Sequence, residues 1–375
     1  MNDLRVGYVG VEHHHRDPYF QIAATLPVEI TAICEPGEEI DVADIAPLAD
    51  RPDEIESAGE DVTGVVAGAS TYAEPQALIE SGEVDAIWIT YANDAVPAIV
   101  ETAVENDVDV ISEKPIARTA GDLESIAERA DERGVTISPT YFYRANPIVE
   151  ELRERIGSGE FGEIWSIEGR FIASQLSYRD TSHYIYDAER SRGGAFQWVG
   201  LHWLDTKMYV LDDPITRVSA RLAEPAAAEV DVEAGGTVQF ETRRGTLGTF
   251  QSGYYLGERG KDTHLGIYGT EAQARTPVHH DAMADEPTAP LEIVSDRSDW
   301  AAAPRRTTDY EFAYEQFPAW GDYVREFFAR VVSGICGEGE SPTTAADAVR
   351  TLRVLDAIYE SAASEQWVDV ADPRS

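Results

Sequence analysis

The segment VGYVGVEHHHRDPYF, residues 6–20, decides the fold of the N-terminal region. An apolar run through Gly7 and Gly10 is typical of a buried strand that turns tightly into a helix, as in dinucleotide-binding folds. Where such a turn keeps further small residues, this chain carries Glu12 and His15. The segment therefore predicts the fold and leaves open whether the turn still holds a dinucleotide.

Strand-length apolar runs alternate with helical stretches through the first third of the chain. The predicted strands are LRVGYVG, VEITAICE, VDAIWITY, VDVISE and VTISPTY, and the predicted helices between them are PYFQIAATL, EPQALIESG, VPAIVETAVEND and AGDLESIAERADERG. Such alternation predicts right-handed crossovers and a parallel sheet covered on both faces. We predict an α/β, Rossmann-type domain over residues 1–140.

The pattern changes near Tyr141, where longer strands follow with few helices between them. Their alternation and the tight turn at RRGTLG predict a mostly antiparallel open sheet in an α+β domain over residues 141–375. Two helices, roughly 318–333 and 343–361, are predicted to close the chain. Trp320, Tyr323, Phe327 and Val331 are spaced to form one apolar face of the first of them.

Acidic residues dominate the composition. Asp and Glu number 69 against 30 Lys and Arg, which gives a formal charge of −39, and only Lys114, Lys207 and Lys261 are lysines. Such a surface repels nucleic acid and anionic membranes. We expect a protein adapted to a salt-rich cytoplasm, in which ions screen this self-repulsion; an ordinary acidic enzyme is the alternative.

Cysteine content and hydropathy bound the class of protein further. The chain has two cysteines, Cys34 and Cys336, which excludes a disulfide framework and a multi-cysteine metal site. It has no apolar run long enough to span a membrane and no secretory leader. We therefore expect a soluble protein of a reducing cytoplasm.

The stretch SEKPIA, residues 112–117, is the most informative about chemistry. It follows a buried strand, so Lys114 is predicted at the carboxyl edge of the sheet, where ligands bind in open α/β folds. Arginine, which the chain uses freely, could fill a surface role, whereas a lysine amine changes its protonation readily. We interpret Lys114 as a functional residue.

Glu35 ends the second predicted strand, 25 residues after Gly10. An acid at this place in a dinucleotide fold accepts hydrogen bonds from the adenosine ribose and repels a 2′-phosphate. No arginine stands beside it in CEPGEE to receive that phosphate. Glu35 therefore predicts NAD in preference to NADP, although a solvated acid in an acid-rich chain is the simpler alternative.

The stretch RGGAFQWVGLHWLD, residues 192–205, reads as a glycine turn that leads into a helix. His202 and Asp205 are three residues apart and share one helical face, and Trp198 stands one turn before His202. Taken alone, His202 is equally well explained as a helix histidine with a satisfied hydrogen bond.

Together these stretches resemble the Gfo/Idh/MocA family of NAD(P)-dependent oxidoreductases, nearly from end to end. Asn93, 20 residues before Glu113, and the segments YFYR (141–144), SGEFGEIWSIEGRF (158–171) and HLGIYGTEA (264–272) add to the resemblance. It implies a Rossmann domain and a C-terminal domain whose open sheet makes subunit contacts. It also implies that sugars, inositols or related polyols are oxidised or reduced.

The resemblance implies roles for individual residues. Lys114 and His202 are expected to be catalytic and to point into a cleft near the nicotinamide, whereas the family's aspartate four residues before the histidine is Trp198 here. The cofactor-binding residues are expected to be Gly7, Gly10, Glu12, His13, Glu35, Asn93, Glu113 and Lys114. The substrate residues are expected to be Tyr143, Arg170, His183, Trp198 and Asp205, within an aromatic-lined pocket that includes Tyr178, Tyr184 and Tyr186.

No metal site is expected at His13, His14 and His15, because consecutive residues of a helix point about 100° apart. Two of them together with a distant carboxylate are the alternative. The expected partners are a small-molecule substrate and further copies of the chain, paired through the C-terminal sheet.

Three functions stay open at this point. The first is an NAD(P)-dependent dehydrogenase in which Lys114 and His202 are acid and base. The second is a non-redox relative, either a lyase or an enzyme that cleaves glycosides with the help of NAD. The third is a ligand-binding relative without a cofactor, which the altered glycine turn would favour.

Overall fold

Strand β1 (Leu4–Val9) lies in the middle of a parallel sheet in the computed structural model, which describes residues 3–45, 62–177, 180–223, 230–257, 260–278, 288–312 and 321–371. The following elements of this region are α1 (Arg16–Ala23), β2 (Val28–Cys34), β3 (Ser70–Tyr72), α2 (Pro75–Glu80), β4 (Ala86–Ile89), α3 (Val96–Glu105), β5 (Asp109–Ser112), α4 (Glu124–Arg133) and β6 (Ile137–Pro139).

The strand order β3-β2-β1-β4-β5-β6, with all neighbours parallel, is that of a dinucleotide-binding sheet. The predicted α/β fold is confirmed, and only β3 was not predicted. Three residues of mixed polarity, STY, carry too little periodicity to be recognised. The order of connection reverses between β1 and β4, and their carboxyl ends lead to the turn after Gly10 and to the loop of Asn93.

The second region contains α5 (Pro147–Gly157), β7 (Ile164–Ala173), α6 (Ala188–Ser191), α7 (Leu201–Leu211), β8 (Ile215–Ala223), β9 (Gly235–Thr242), β10 (Leu247–Gly253), β11 (Lys261–Gly269), β12 (Ala272–Thr276), β13 (Thr288–Ser295), β14 (Arg305–Glu311), α8 (Asp322–Ile335), α9 (Ala345–Ser364) and β15 (Val368–Asp369). Within the described residues its sheet has the order β14-β13-β12-β11-β7-β10-β9-β8-β15. All of its pairs are antiparallel except β7 with β10, so the predicted mostly antiparallel sheet is confirmed.

The chain divides into two compact units after Phe142, and the first unit also includes helix α8 and the start of α9 up to Val349. This differs from the predicted division at residue 140, which assigned the whole C-terminal region to the second domain. Aromatic packing explains the difference. The ring centroid of Phe328, on α8, lies 4.4 Å from that of Trp88 and 5.1 Å from that of Tyr19, both in the first unit.

The predicted apolar face of α8 is present, since Tyr323, Phe327 and Val331 are all buried. Trp320, which was predicted to extend this face, lies outside the described residues. Among the helices described, none combines the length and apolar character that a membrane crossing requires.

Candidate active site

The turn after β1 passes close to the end of β4. Gly10 has a φ of +93°, and a Cβ there would lie 2.2 Å from the carbonyl oxygen of Thr90, so glycine is required. Gly7 has a different role, because a Cβ on it would lie 2.4 Å from Leu78 of helix α2. Gly10 therefore shapes the turn, whereas Gly7 allows α2 to approach the sheet.

Glu35 lies at the carboxyl end of β2 and faces this turn. Its Oε2 accepts a hydrogen bond from the backbone N–H of Glu12 at 3.0 Å. Burial, together with the nearby charges of Glu12 and Glu38, raises the pKa of Glu35 to about 7, even though the backbone hydrogen bond opposes the shift. The side chain of Glu12 is exposed, so its carboxylate does not fill the turn.

The three histidines do not lie on a helix, because α1 begins only at Arg16. Their side chains are therefore not separated by the 100° of a helix, and this part of the prediction is wrong. The ring centroids of His13 and His14 are 4.1 Å apart, as are those of His14 and His15, and the potential ligand atoms lie within 4.8 Å of one another. The expectation that this cluster holds no metal ion stays a prediction.

Glu113 and Lys114 follow β5 directly, at the same edge of the sheet. The Lys114 Nζ lies 3.4 Å from Glu113 Oε1, and the Nδ1 of His15 lies 3.6 Å from the same oxygen. The other oxygen, Oε2, accepts hydrogen bonds from the hydroxyl of Tyr19 and, at 2.9 Å, from that of Thr140. Four side chains, from the turn after β1, from α1 and from the ends of β5 and β6, thus meet at the buried Glu113 carboxylate.

The protonation of Glu113 follows from these neighbours. Burial by itself would raise the pKa of this carboxyl, but the charge of Lys114 and the His15 ring hold it well below its ordinary value. Burial and the charge of the same carboxylate raise the pKa of Tyr19. Its hydroxyl therefore stays protonated and donates to Glu113. Lys114 is only 8% exposed, and its backbone N–H donates to Thr140 Oγ1 at 3.2 Å. The sheet edge is therefore a fixed, charged site.

Asn93 is buried in the loop that follows β4, next along the sheet from the turn of Gly10. The first unit consequently brings the predicted residues Gly10, Glu12, His13, Glu35, Asn93, Glu113 and Lys114 to the carboxyl ends of β1, β2, β4 and β5.

A buried carboxylate also fixes the segment that leads to His202. Glu233 accepts hydrogen bonds from the backbone N–H groups of Gly194 at 2.7 Å and Phe196 at 2.9 Å, and from the hydroxyl of Tyr359 at 3.0 Å. A Cβ on Gly194 would lie 2.0 Å from the Glu233 carbonyl oxygen, which explains the glycine. One π-helical turn, Phe196–Gly200, then precedes α7, and such turns are frequent at functional sites.

His202 is buried near the start of α7, with its ring 5.2 Å from that of Tyr143 in an edge-on arrangement. Asp205 is on the same helix, but both of its oxygens bind Arg144, at 2.9 Å and 2.5 Å. Asp205 is thus committed to a bidentate, buried ion pair. His202 and Lys114 lie in different units, so their predicted common cleft stays a prediction.

Trp198 belongs to a buried cluster with Ile185, Tyr186, Val232 and Tyr254. Its indole Nε1 donates to Ser191 Oγ at 2.7 Å. The ring of Tyr184 contacts Trp198 edge-on at 5.7 Å, and that of His183 lies 4.5 Å from Tyr184. Trp198 and Tyr186 are therefore buried in this cluster, whereas His183 and Tyr186 also line a cavity of about 430 Å³ together with Asp187 and Asp231. Tyr178 lies outside the described residues.

Arg170 is not brought together with these side chains. Its neighbours Gly169 and Phe171 contact Lys207 and Trp203 of α7, so alternation along β7 places Arg170 on the opposite face of the sheet. There it pairs with Asp262 at 2.7 Å.

Sequence reasoning missed Tyr19, Thr140, Arg144 and Glu233 as parts of these sites. Thr140 follows a predicted strand and could have been found by the rule that ligands bind at strand ends. Arg144 and Asp205 are 61 residues apart, and nothing local in the sequence indicates their pairing.

The first unit fits a dinucleotide cofactor by its own chemistry. The buried Glu35 carboxylate is an acceptor suited to ribose hydroxyls, the turn after Gly10 leads into a helix N-terminus, and the exposed Glu12 leaves that turn open.

Comparisons with known proteins match both parts of the chain. Residues 5–141 match a model described as an oxidoreductase family with an NAD-binding Rossmann fold, and residues 149–275 match a Gfo/Idh/MocA C-terminal domain model. Together the two models span most of the chain.

Individual relatives are similar over nearly their whole length. A D-xylose 1-dehydrogenase (NADP(+)) of Haloferax volcanii is 24% identical, with 94% of this chain and 99% of the relative covered. A D-apiose dehydrogenase of Rhizobium rhizogenes is 25% identical, with 89% and 92% covered. A solved levoglucosan dehydrogenase, in complex with NADH and levoglucosan, has a TM-score of 0.78 at 18% identity, with 99% and 100% covered.

Proposed function

Because this chain belongs to the Gfo/Idh/MocA family of oxidoreductases, we propose that it is an NAD(P)-dependent dehydrogenase of a sugar or related polyol. The observation that carries this proposal is the buried Lys114 at the carboxyl end of β5, held beside Glu113 in the sheet of a dinucleotide-binding fold. The relatives named for xylose and apiose support the substrate class.

The proposed chemistry assigns separate tasks to the chain's residues. Glu35, the turn after Gly10 and Asn93 would hold the cofactor, whose nicotinamide exchanges a hydride with a substrate carbon when bound. Lys114 takes the proton of the reacting hydroxyl after its ammonium group, which lies beside the Glu113 carboxylate at rest, has lost a proton. His202 is proposed as a second acid–base group, with Tyr143 packed edge-on against its ring.

The proposed preference for NAD rests on Glu35. A 2′-phosphate would meet a carboxylate with no arginine beside it in residues 34–39, although the xylose dehydrogenase relative is named for NADP(+). Since the pKa of Glu35 is raised to about 7, its charge and the discrimination against NADPH should grow as the pH rises through that value. Equal dissociation constants for NADH and NADPH at pH 8.5 (about 1.5 units above that pKa) would refute the preference.

We also propose that the protein works in a salt-rich cytoplasm and assembles through its C-terminal sheet. The charge of −39 supports the first statement. The exposed Trp165 and Leu247 on β7 and β10 support the second. Light scattering in multimolar KCl tests assembly, with a monomer as the contrary result.

The function is tested by NADH fluorescence in high salt, followed by a screen of pentoses, hexoses, inositols and anhydrosugars with NAD⁺ and NADP⁺. We expect NADH binding and reduction of the nucleotide with at least one sugar. A chain that binds neither nucleotide would instead be a ligand-binding relative without a cofactor. A chain that binds NADH and consumes a sugar without net reduction would be a non-redox relative.

A further inference from the structure

Two nitrogen bases converge on one oxygen of Glu113. The Nζ of Lys114, directly after β5, lies 3.4 Å from Oε1. The Nδ1 of His15, in the turn between β1 and α1, lies 3.6 Å from the same oxygen. The hydroxyls of Tyr19 and Thr140 both donate to Oε2. The carboxylate is therefore oriented by two neutral donors, and its remaining oxygen faces the two bases.

The surroundings give this group a direction from interior to solvent. Glu113 and Lys114 are buried, whereas the side chain of His15 is 17% exposed and continues to the half-buried His14 at a ring distance of 4.1 Å. The backbone N–H of His15 donates to His13 Nδ1 at 3.1 Å, which fixes the turn. The titratable groups that interact with Glu113 include Lys114, His15, His13, Tyr19 and Tyr8.

We propose that His15 relays the substrate proton between Lys114 and solvent through Glu113 Oε1. The inference rests on the proposed dehydrogenase function and deepens it. His15 acts through Glu113 and is a positioning and relay residue, whereas Lys114 is the catalytic one.

In the direction of alcohol oxidation, the proton moves from the substrate to water through three side chains. The substrate O–H bond breaks and an N–H bond forms at Lys114 Nζ. The resulting ammonium loses a proton to Glu113 Oε1, and the transient carboxylic acid passes it to His15 Nδ1. The imidazolium then releases its Nε2 proton to water, and exchange with water at the 17% exposed ring returns the remaining proton from Nδ1 to Nε2 before the next turnover. Closing the distances of 3.4 Å and 3.6 Å to about 2.9 Å requires only small side-chain movements.

This path compensates for a feature missing from the second unit. Trp198 stands where the family has an aspartate, and its indole can donate a proton in a hydrogen bond but cannot accept one. Asp205 is bound to Arg144 on both oxygens. The first unit therefore offers a carboxylate–imidazole pair, whereas Asp205, the carboxylate on the helix of His202, is already bound to Arg144.

The test compares His15→Gln with His264→Gln, a matched control that removes another histidine paired with a carboxylate, Glu168, at 3.1 Å. We expect His15→Gln to lower kcat about tenfold, below the usual contribution of a direct acid–base group. The KM for the sugar should not change, and added imidazole should restore part of the rate. The kcat is measured at saturating nucleotide, because His15 belongs to the turn that would hold the cofactor. We expect His264→Gln to behave as the wild type. A His15→Gln enzyme with the wild-type kcat and pH profile would overturn the relay.

A second measurement does not depend on turnover. The chain has eight histidines, so the His15 resonance can be assigned in ¹³C-histidine-labelled protein by its loss in His15→Gln. We expect Glu113→Gln to shift the His15 ring resonance, because Nδ1 then loses the carboxylate that lies 3.6 Å away. An unchanged resonance would overturn the coupling. Absence of turnover in the wild type would contradict the proposed function instead, while this spectrum still decides whether His15 and Glu113 are coupled.

Discussion

Two of the chain's three lysines are buried, one in each unit, in opposite surroundings. Lys114 lies beside the Glu113 carboxylate at the edge of the parallel sheet. Lys207 is completely buried on α7, where its Nζ lies over the rings of Phe250 and Trp203 and 3.4 Å from the Trp203 carbonyl oxygen. Within the described residues, no carboxylate forms an ion pair with it.

The difference shows what a partner does for a buried amine. Burial lowers the pKa of Lys207 to about 7, so the amine loses its charge above that pH instead of pairing it. Gly169 of β7 makes room for it, since a Cβ there would lie 2.4 Å from the Nζ. We interpret Lys207 as a packing residue and Lys114 as the reactive one.

The largest expected effect is on kcat, when each of the two lysines is substituted in a separate variant. Lys114→Ala should lower kcat by at least about 100-fold, the lower range for a general acid–base group. Lys207→Met, which keeps the length and apolar body of the side chain, should retain activity. His202→Ala should lose less than Lys114→Ala. Steady-state kinetics on a sugar identified in the screen measures all three, and equal losses for both lysine variants would abolish the distinction.

The pH dependence of the free energy of unfolding should show the next largest effect, and it should come from Lys207. The folded pKa of Lys207 is about 7 and its ordinary value is 10.5. The unfolded chain therefore binds one more proton between these values, so the free energy of unfolding should rise as the pH rises from 7 to 10.5. The penalty is fully present below pH 7 and should amount to a few kcal/mol. Urea unfolding at several pH values should show this slope in the wild type and not in Lys207→Met; an equal slope in both would mean that Lys207 is charged when folded.

A smaller effect is expected from Glu12, the exposed acid of the turn near Lys114. Glu12→Gly should tighten NADH binding only a few-fold, because exposed charges contribute about 1 kcal/mol or less. Glu12→Gln distinguishes charge from shape, since it removes the charge and keeps the size. Fluorescence titration measures both, and weaker binding in both variants would show that Glu12 supports the cofactor.

Added salt should change the melting temperatures of the wild type and of Lys207→Met by the same amount. The melting temperature should rise between about 0.1 M and 3 M KCl, where the screening length shortens to about 3 Å or less, because the net charge is −39. The buried Lys207 is shielded from those ions, so Lys207→Met should rise in parallel with the wild type. Calorimetry checks this, and a flat wild-type profile would contradict salt adaptation.

The two lysines also show how far the sequence predicts such sites. Lys114 could be placed because a buried strand of period two ends just before it, and parallel strands bring their carboxyl ends to one edge. Lys207 could not, because its burial depends on Gly169, which is remote in sequence and meets it only in the folded unit. The prediction that His13, His14 and His15 lie on a helix was wrong for a local reason, because α1 begins directly after them.

The scarcity of lysine has a practical consequence for bioconjugation. Of the three ε-amines, two are buried and only Lys261, the half-buried first residue of β11, is open to a reagent in the folded chain. An amine-directed fluorophore should therefore attach to a single side chain without mutagenesis. Slower incorporation at Lys114 and Lys207 would then time the opening of each unit separately, with one probe reporting on both halves of the molecule.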